Sequence, residues 1–154
     1  MKIALIIHSQ TGNTLSVAVR IQEKLILMGY SASIICIQPD HEHATDIDHI
    51  HYASFIDVRE YDAFVVGCPT HGASMSLPMS AYLKQLRRFD NKKVNCFVTE
   101  FFPFSWMGGN RALMQLKTVC SSKGTSVNSS GVITWSNLGR NNAIDQLSDE
   151  LSRF

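Results

Sequence analysis

The sequence predicts a single α/β domain over residues 1–154, built as a three-layer sandwich in which a five-stranded parallel sheet carries helices on both faces. Two observations predict it. Short apolar runs alternate with longer amphipathic stretches, the pattern of strands that cross over through helices. At 154 residues and 45% hydrophobic content, the chain is long enough to cover both faces of one sheet. No linker, internal repeat or low-complexity segment divides it.

Residues 2–7 form the first apolar run, read as a buried strand. Residues 13–28 follow as a helix stopped by Gly29, with Leu15, Ala18, Val19, Ile21, Leu25 and Met28 as its apolar stripe. A second strand spans 31–37 and ends before Pro39. Residues 41–60 are polar and rich in histidine, with a weak helical pattern over 49–56. The run at 63–68 is a third strand, buried on both faces. Residues 77–89 read as a helix with Pro78 in its first turn, where a missing N–H costs nothing. A fourth strand covers 93–99, and a helix over 109–123 is closed by Gly124. A fifth strand covers 126–135, irregular around Ser129, Ser130 and Gly131, and residues 141–154 form the last helix.

The turn between the first strand and first helix reads Ser9-Gln10-Thr11-Gly12-Asn13-Thr14. A hydroxyl-rich turn opening a helix gathers backbone N–H groups and the positive helix end on one anion, and Gly12 allows close approach. The turn lacks the Gly-Lys-Ser/Thr ending of a nucleoside triphosphate loop and the G-x-G-x-x-G of a dinucleotide fold. With no Lys or Arg, it suits one terminal phosphate held by dipoles and hydroxyls. Two further loops leave the same sheet edge. Gly67-Cys68-Pro69-Thr70-His71-Gly72 follows the third strand, and the segment from Thr99 to Gly109 follows the fourth.

These three loops, in this order and spacing, resemble those of the flavodoxin superfamily, and the resemblance covers essentially the whole chain. It implies a flavodoxin-like sheet of order 2-1-3-4-5, FMN as cofactor, and a site at the point where strand order reverses. On that resemblance Ser9, Gln10, Thr11, Gly12, Asn13 and Thr14 hold the phosphate. Pro69, Thr70, His71 and Gly72 form one wall of the flavin site, with His71 standing where many flavodoxins place a Trp. Gly72 stands where a peptide flips on reduction, turning a carbonyl toward the flavin N5 hydrogen. Thr99, Glu100, Phe101, Phe104, Trp106 and Gly108 form the other wall. Phe104 matches the stacking Tyr and Trp106 is the alternative stacker, while backbone groups around Thr99 and Glu100 read the pyrimidine edge. Three Phe and one Trp within residues 101–106 fit a planar ligand.

The resemblance implies an electron carrier that works between redox partner proteins, as a monomer or weak homo-oligomer. The alternative is an NAD(P)H-dependent FMN or quinone reductase of the same fold, to which Pro69-Thr70-His71-Gly72 followed by Pro78 is also similar. The small size favours the carrier. Family carriers surround the reduced flavin with acids, whereas the net charge here is +1. The expected potential of the fully reduced couple is therefore less negative than theirs.

Composition narrows the rest. Seven of 13 acidic residues fall between 40 and 62, opposed only by Arg59, and Lys84, Arg87, Arg88, Lys92 and Lys93 form a basic cluster. These read as two solvated faces of opposite sign, and no basic surface with interleaved aromatics suggests nucleic acid. The apolar runs are too short for a signal peptide or a membrane span, so a cytoplasmic location is expected. Cys36, Cys68, Cys96 and Cys120 lack metal or redox spacing and read as buried free thiols, Cys68 being notable for adjoining the second loop. His41, His43, His49 and His51 lie among acids, but the segment has no closed-site metal spacing. A receiver domain would need an Asp and a Lys where Cys68 and Trp135 stand, and a low-molecular-weight phosphatase would need Cys and Arg in the first loop.

Overall fold

Ile3 to Ile7 are fully buried, so the first strand must have neighbours on both edges and layers on both faces. In the computed structural model, which describes residues 1–154, β1 (Lys2–Ile7) pairs in parallel with β2 (Ser31–Cys36) on one side and β3 (Ala63–His71) on the other. A short β4 (Ser74–Met75) folds back antiparallel on β3. Then β5 (Lys93–Glu100) and β6 (Val127–Thr134) complete a sheet of order β2-β1-β3-β5-β6, with β4 off that path. Without β4 this is the anticipated five-stranded 2-1-3-4-5 order.

Four helices cover the sheet: α1 (Asn13–Leu27), α2 (Leu77–Gln85), α3 (Gly109–Ser122) and α4 (Arg140–Leu151). They enclose two apolar clusters. One holds Val17, Ile21 and Leu25 of α1 and Leu151 of α4; the other holds Met79, Tyr82 and Leu83 of α2 and Ala112 and Leu116 of α3. The core stripe of α1 is rotated from the expected one. Thr14, Val17, Ala18, Ile21 and Leu25 face inward while Val19 and Met28 lie exposed, because the i, i+3, i+4 spacing from Thr14 selects Val17 and Ala18 over Val19.

The helical pattern over 49–56 gives no α-helix. Residues 37–62 follow an irregular path of turns and bends with single 3-10 turns at Ile47–His49 and Val58–Glu60. Side chains tie it down instead. Tyr52 donates its hydroxyl to the Pro78 carbonyl at 2.6 Å, and Ile56 N–H donates to the Tyr82 hydroxyl at 3.1 Å. The acidic and basic stretches stay largely solvent-exposed and touch at one exposed pair, Lys84 with Asp48 at 2.8 Å, while Lys92 donates to the Val58 carbonyl at 2.7 Å.

Three local outcomes differ in detail from the sequence reading. Helix α2 stops at Gln85, and Asp90 and Asn91 adopt left-handed φ of 53° and 63° in the turn that follows. The irregularity in β6 is a bulge between the Val94 and Cys96 pairings, filled by buried Asn95, which accepts from Ser129 N–H at 3.0 Å and donates to the Leu151 carbonyl at 2.9 Å. Cys36 is exposed on the edge strand, contrary to the expectation for all four thiols, whereas Cys68, Cys96 and Cys120 are buried. No helix is long and apolar enough to cross a membrane.

Candidate functional site

Because strand order reverses between β1 and β3, the loops after β1, β3 and β5 leave the same edge side by side. They enclose a cleft of about 230 Å³ lined by Gln10, Thr11, Asn13, Thr14, Pro69, Thr70, His71, Thr99, Glu100 and Phe101. All ten are residues singled out from the sequence.

The first loop presents its backbone. Gly12 has φ of 92°, a left-handed conformation that lets the chain turn sharply into α1. The N-cap residue, Gly12, has no side chain to cap α1. Leu15 N–H donates to Ser9 Oγ at 3.2 Å and Ser16 N–H to the Gly12 carbonyl at 2.9 Å, which leaves the amides of Asn13 and Thr14 without a protein partner. Thr14 and Thr99 join their hydroxyls at 2.8 Å, fixing the first loop to the third. One hydroxyl proton makes that bond, and the other remains for a ligand.

The second loop is the hairpin of β3 and β4, with Gly72 at its tip at φ of 62°. His71 lines the cleft, while Gly72 lies exposed beyond it. The third loop meets this tip at Gly108. A side chain there would stand 3.1 Å from the Ala73 Cα and 3.2 Å from the Gly72 carbonyl oxygen, at a φ of 131° that favours glycine. Glu100 roots the same loop by accepting the Gly109 N–H at 2.9 Å through Oε2. Burial pushes its carboxyl above the ordinary range, with the Gly109 N–H opposing.

The aromatic residues divide. Phe101 reaches the cleft, but Phe104 and Trp106 stand outside its lining, stacked on each other with centroids 5.9 Å apart and planes 8° apart. They are 53% and 74% exposed, so this wall has flat apolar rings facing water. The backbone carbonyl of Glu100 is already taken by Trp135 N–H at 2.7 Å, and that of Phe101 by Ser136 N–H at 3.1 Å. Each carbonyl keeps a second lone pair that a polar ring edge can use.

Two of the three buried side-chain oxygens that lack a partner, Thr70 Oγ1 and Glu100 Oε1, belong to residues bordering this cleft. Unpaired buried oxygens on two residues of one cleft leave hydrogen-bonding capacity there that a ligand or a water can satisfy. Cys68, just below, is chemically quiet: burial pushes its thiol up to about 12. No three metal-ligating side chains converge anywhere.

Sequence reasoning missed His8. Only 1% exposed, it bonds Ser76 Oγ through Nδ1 at 2.8 Å and Glu42 Oε1 through Nε2 at 2.6 Å. Its signal was its place, at the end of a buried run before a ligand loop, but nothing local points to Glu42, 34 residues away. His8 meets His71 edge-on, centroids 6.2 Å apart.

Comparison with known proteins agrees with this geometry. The flavodoxin family profile matches residues 5–145. Among solved structures, a Streptococcus pneumonia TIGR4 flavodoxin is similar at TM-score 0.69 and 16% identity, covering 99% of this chain and 98% of that one. Two-electron reduced Megasphaera elsdenii flavodoxin is similar at 0.65 and 18%, covering 97% and 98%. A Lactobacillus acidophilus flavoprotein in complex with FMN is similar at 0.63 and 15%, covering 96% and 98%. No curated protein sequence matches.

Proposed function

The chain belongs to the flavodoxin family, and from that premise we propose that it binds FMN without a covalent bond and carries electrons between redox partner proteins. The observation that carries this reading is the convergence of the three loops on one cleft lined by Thr70 and Glu100, two residues with an unpaired buried oxygen. The residues fit the group. The Asn13 and Thr14 amides, the Thr11 hydroxyl and the positive end of α1 suit a dianionic phosphate without requiring a cationic side chain. The exposed rings of Phe104 and Trp106 suit a flat heteroaromatic system, and their area becomes favourable once water is removed from it.

When bound, FMN supplies one- and two-electron redox chemistry. The protein's own contribution is placement. Ser9, Gln10, Thr11, Gly12, Asn13 and Thr14 hold the phosphate end; Pro69, Thr70, His71 and Gly72 form one wall and Thr99, Glu100, Phe101, Phe104, Trp106 and Gly108 the other. Gly72 stands at a left-handed tip, with nothing within 4 Å of the point where a Cβ would stand, and its lack of a Cβ suits a peptide that turns.

A second reading, an NAD(P)H-dependent FMN or quinone reductase, is favoured by one observation. A further cleft of about 550 Å³ shares Gln10 and His71 with the first and has room for a small substrate. Titration of the protein with FMN, followed by stepwise anaerobic reduction under visible absorbance, tests both readings. Accumulation of a one-electron-reduced state is the outcome expected of a carrier. Direct two-electron reduction, with turnover of NAD(P)H and quinone, would establish the reductase instead, and absence of FMN binding would remove both.

A further inference from the structure

His8 is the only histidine in the buried interior; the other five are exposed. Its two ring nitrogens are both engaged, and the partners fix its tautomer. The Glu42 carboxylate accepts, so Nε2 carries the proton, and the Ser76 hydroxyl donates to Nδ1. Ser76 is itself fully buried, starts α2, and donates its own N–H to the Pro69 carbonyl at 3.1 Å. It is enclosed and cannot serve as a nucleophile. The network instead spans three segments: the end of β1 just before Ser9, the 40–44 stretch, and the root of the hairpin that carries His71 and Gly72.

We propose that His8 is a positioning residue of this site: held between Glu42 and Ser76, it fixes the β3–β4 hairpin and sets the electrostatic surroundings of the His71 ring. The proposal rests on the flavin reading for its consequence, though its geometry stands in the protein alone. The titratable groups facing His8 and His71 are Glu42 and His43, both from the 40–44 stretch. Burial holds His8 below the ordinary imidazole range, with Glu42 opposing. His71 is also held low, first by partial burial and then by His8, with Glu42 raising it and His43 lowering it.

Two substitutions should therefore move His71 in opposite directions. His8→Gln removes a ring whose protonated form lowers His71 at acidic pH, and Glu42→Gln removes the carboxylate that raises it. A purely structural brace would loosen the hairpin in both variants and shift His71 the same way in each, toward its free value.

The experiment is a histidine NMR titration of the full chain without FMN, for wild type and both variants, paired with FMN affinity measured by fluorescence quenching. The expected result is a His8 ring that stays in the Nε2–H tautomer at neutral pH, a His71 midpoint raised by His8→Gln and lowered by Glu42→Gln, and FMN binding weakened about fivefold in either variant. Shifts of His71 in the same direction, or FMN affinity unchanged in both variants, would overturn the proposal. If His8→Gln does not fold, Glu42→Gln, at a side chain 35% exposed, decides alone by whether His71 falls or rises. If the wild type binds no FMN, the flavin reading fails while the titration still decides whether His8 governs His71.

Discussion

The two walls of the cleft are built in opposite ways. The hairpin wall, with His71, is rooted in the interior: His8, Ser76 and Glu42 are hydrogen-bonded beneath it and its strands continue the sheet. The aromatic wall is tied down through its backbone and its base, by Ser136 N–H on the Phe101 carbonyl at 3.1 Å, Asn137 on the Pro103 carbonyl at 3.3 Å and Glu100 on Gly109, while its rings stand exposed and pair with each other. A wall braced from inside contributes a fixed surface before any ligand arrives. A wall of exposed rings contributes surface whose burial favours the bound state. Stability and binding should therefore separate: changes to the braced wall affect both, and changes to the exposed rings of the free wall affect binding alone.

The largest effect is expected where the walls meet. Gly108→Ala puts a methyl group 3.1 Å from the Ala73 backbone at a φ of 131°, so strain and overlap add. A loss of about 2–4 kcal/mol in unfolding free energy is expected, with FMN binding lost as well. Denaturant unfolding and an FMN titration measure both. A variant as stable as the parent would mean that the two loops do not touch there.

Replacing Phe104 and Trp106 together by Ala sharpens the contrast. Each good ring contact contributes about 0.5–1.5 kcal/mol, so FMN affinity should fall about tenfold to a hundredfold. Because both rings are more than half exposed, the unfolding midpoint of the protein without FMN should stay the same. A drop in stability of the free protein would show that these rings pack as core and not as a binding wall.

The same division explains what could be read from the sequence. The strands and the three loops were legible because they rest on local signals (buried runs, Gly12 between hydroxyl residues, aromatics crowded beside Pro103), whereas the sheet order followed from the resemblance those loops carry. The local signals act over a few neighbours, and backbone geometry follows from them. Residues 37–62 were illegible because their conformation is set by distant side chains, Tyr52 on Pro78 and Lys84 on Asp48 among them. Glu42 looks like one acid in a charged stretch, and only the folded chain brings it to His8. Val19 reads as core in place of Val17 because the phase of a helix cannot be fixed when both sides are apolar.

A smaller effect is expected at the hairpin tip. Gly72→Ala meets no atom within 4 Å, so its cost is conformational, about 1 kcal/mol from the left-handed φ of 62°. Gly72→Asn should recover part of it, because Asn tolerates that region. If both variants match the parent in stability and in their behaviour during stepwise reduction, the tip does not need glycine.

The smallest effect concerns the root of the free wall and has a definite sign. Burial raises the Glu100 carboxyl above its ordinary value, so the folded protein holds that proton more tightly than the unfolded chain. The resulting stability is fully present below the unfolded carboxyl value and is lost as pH rises through the higher folded one. Above that window Glu100 is an anion with Oε1 unpaired and only the Gly109 N–H on Oε2 to stabilise it. Glu100→Gln removes the titration while leaving an amide oxygen able to accept from Gly109. Relative to the parent, the variant should therefore gain stability as pH rises from mildly acidic to neutral. The parallel measurement is FMN affinity across the same range. An orphan oxygen that a bound ligand satisfies would make the parent bind more tightly than the variant at neutral pH, whereas one that only burdens the fold would leave affinity unchanged while the stability curves still diverge.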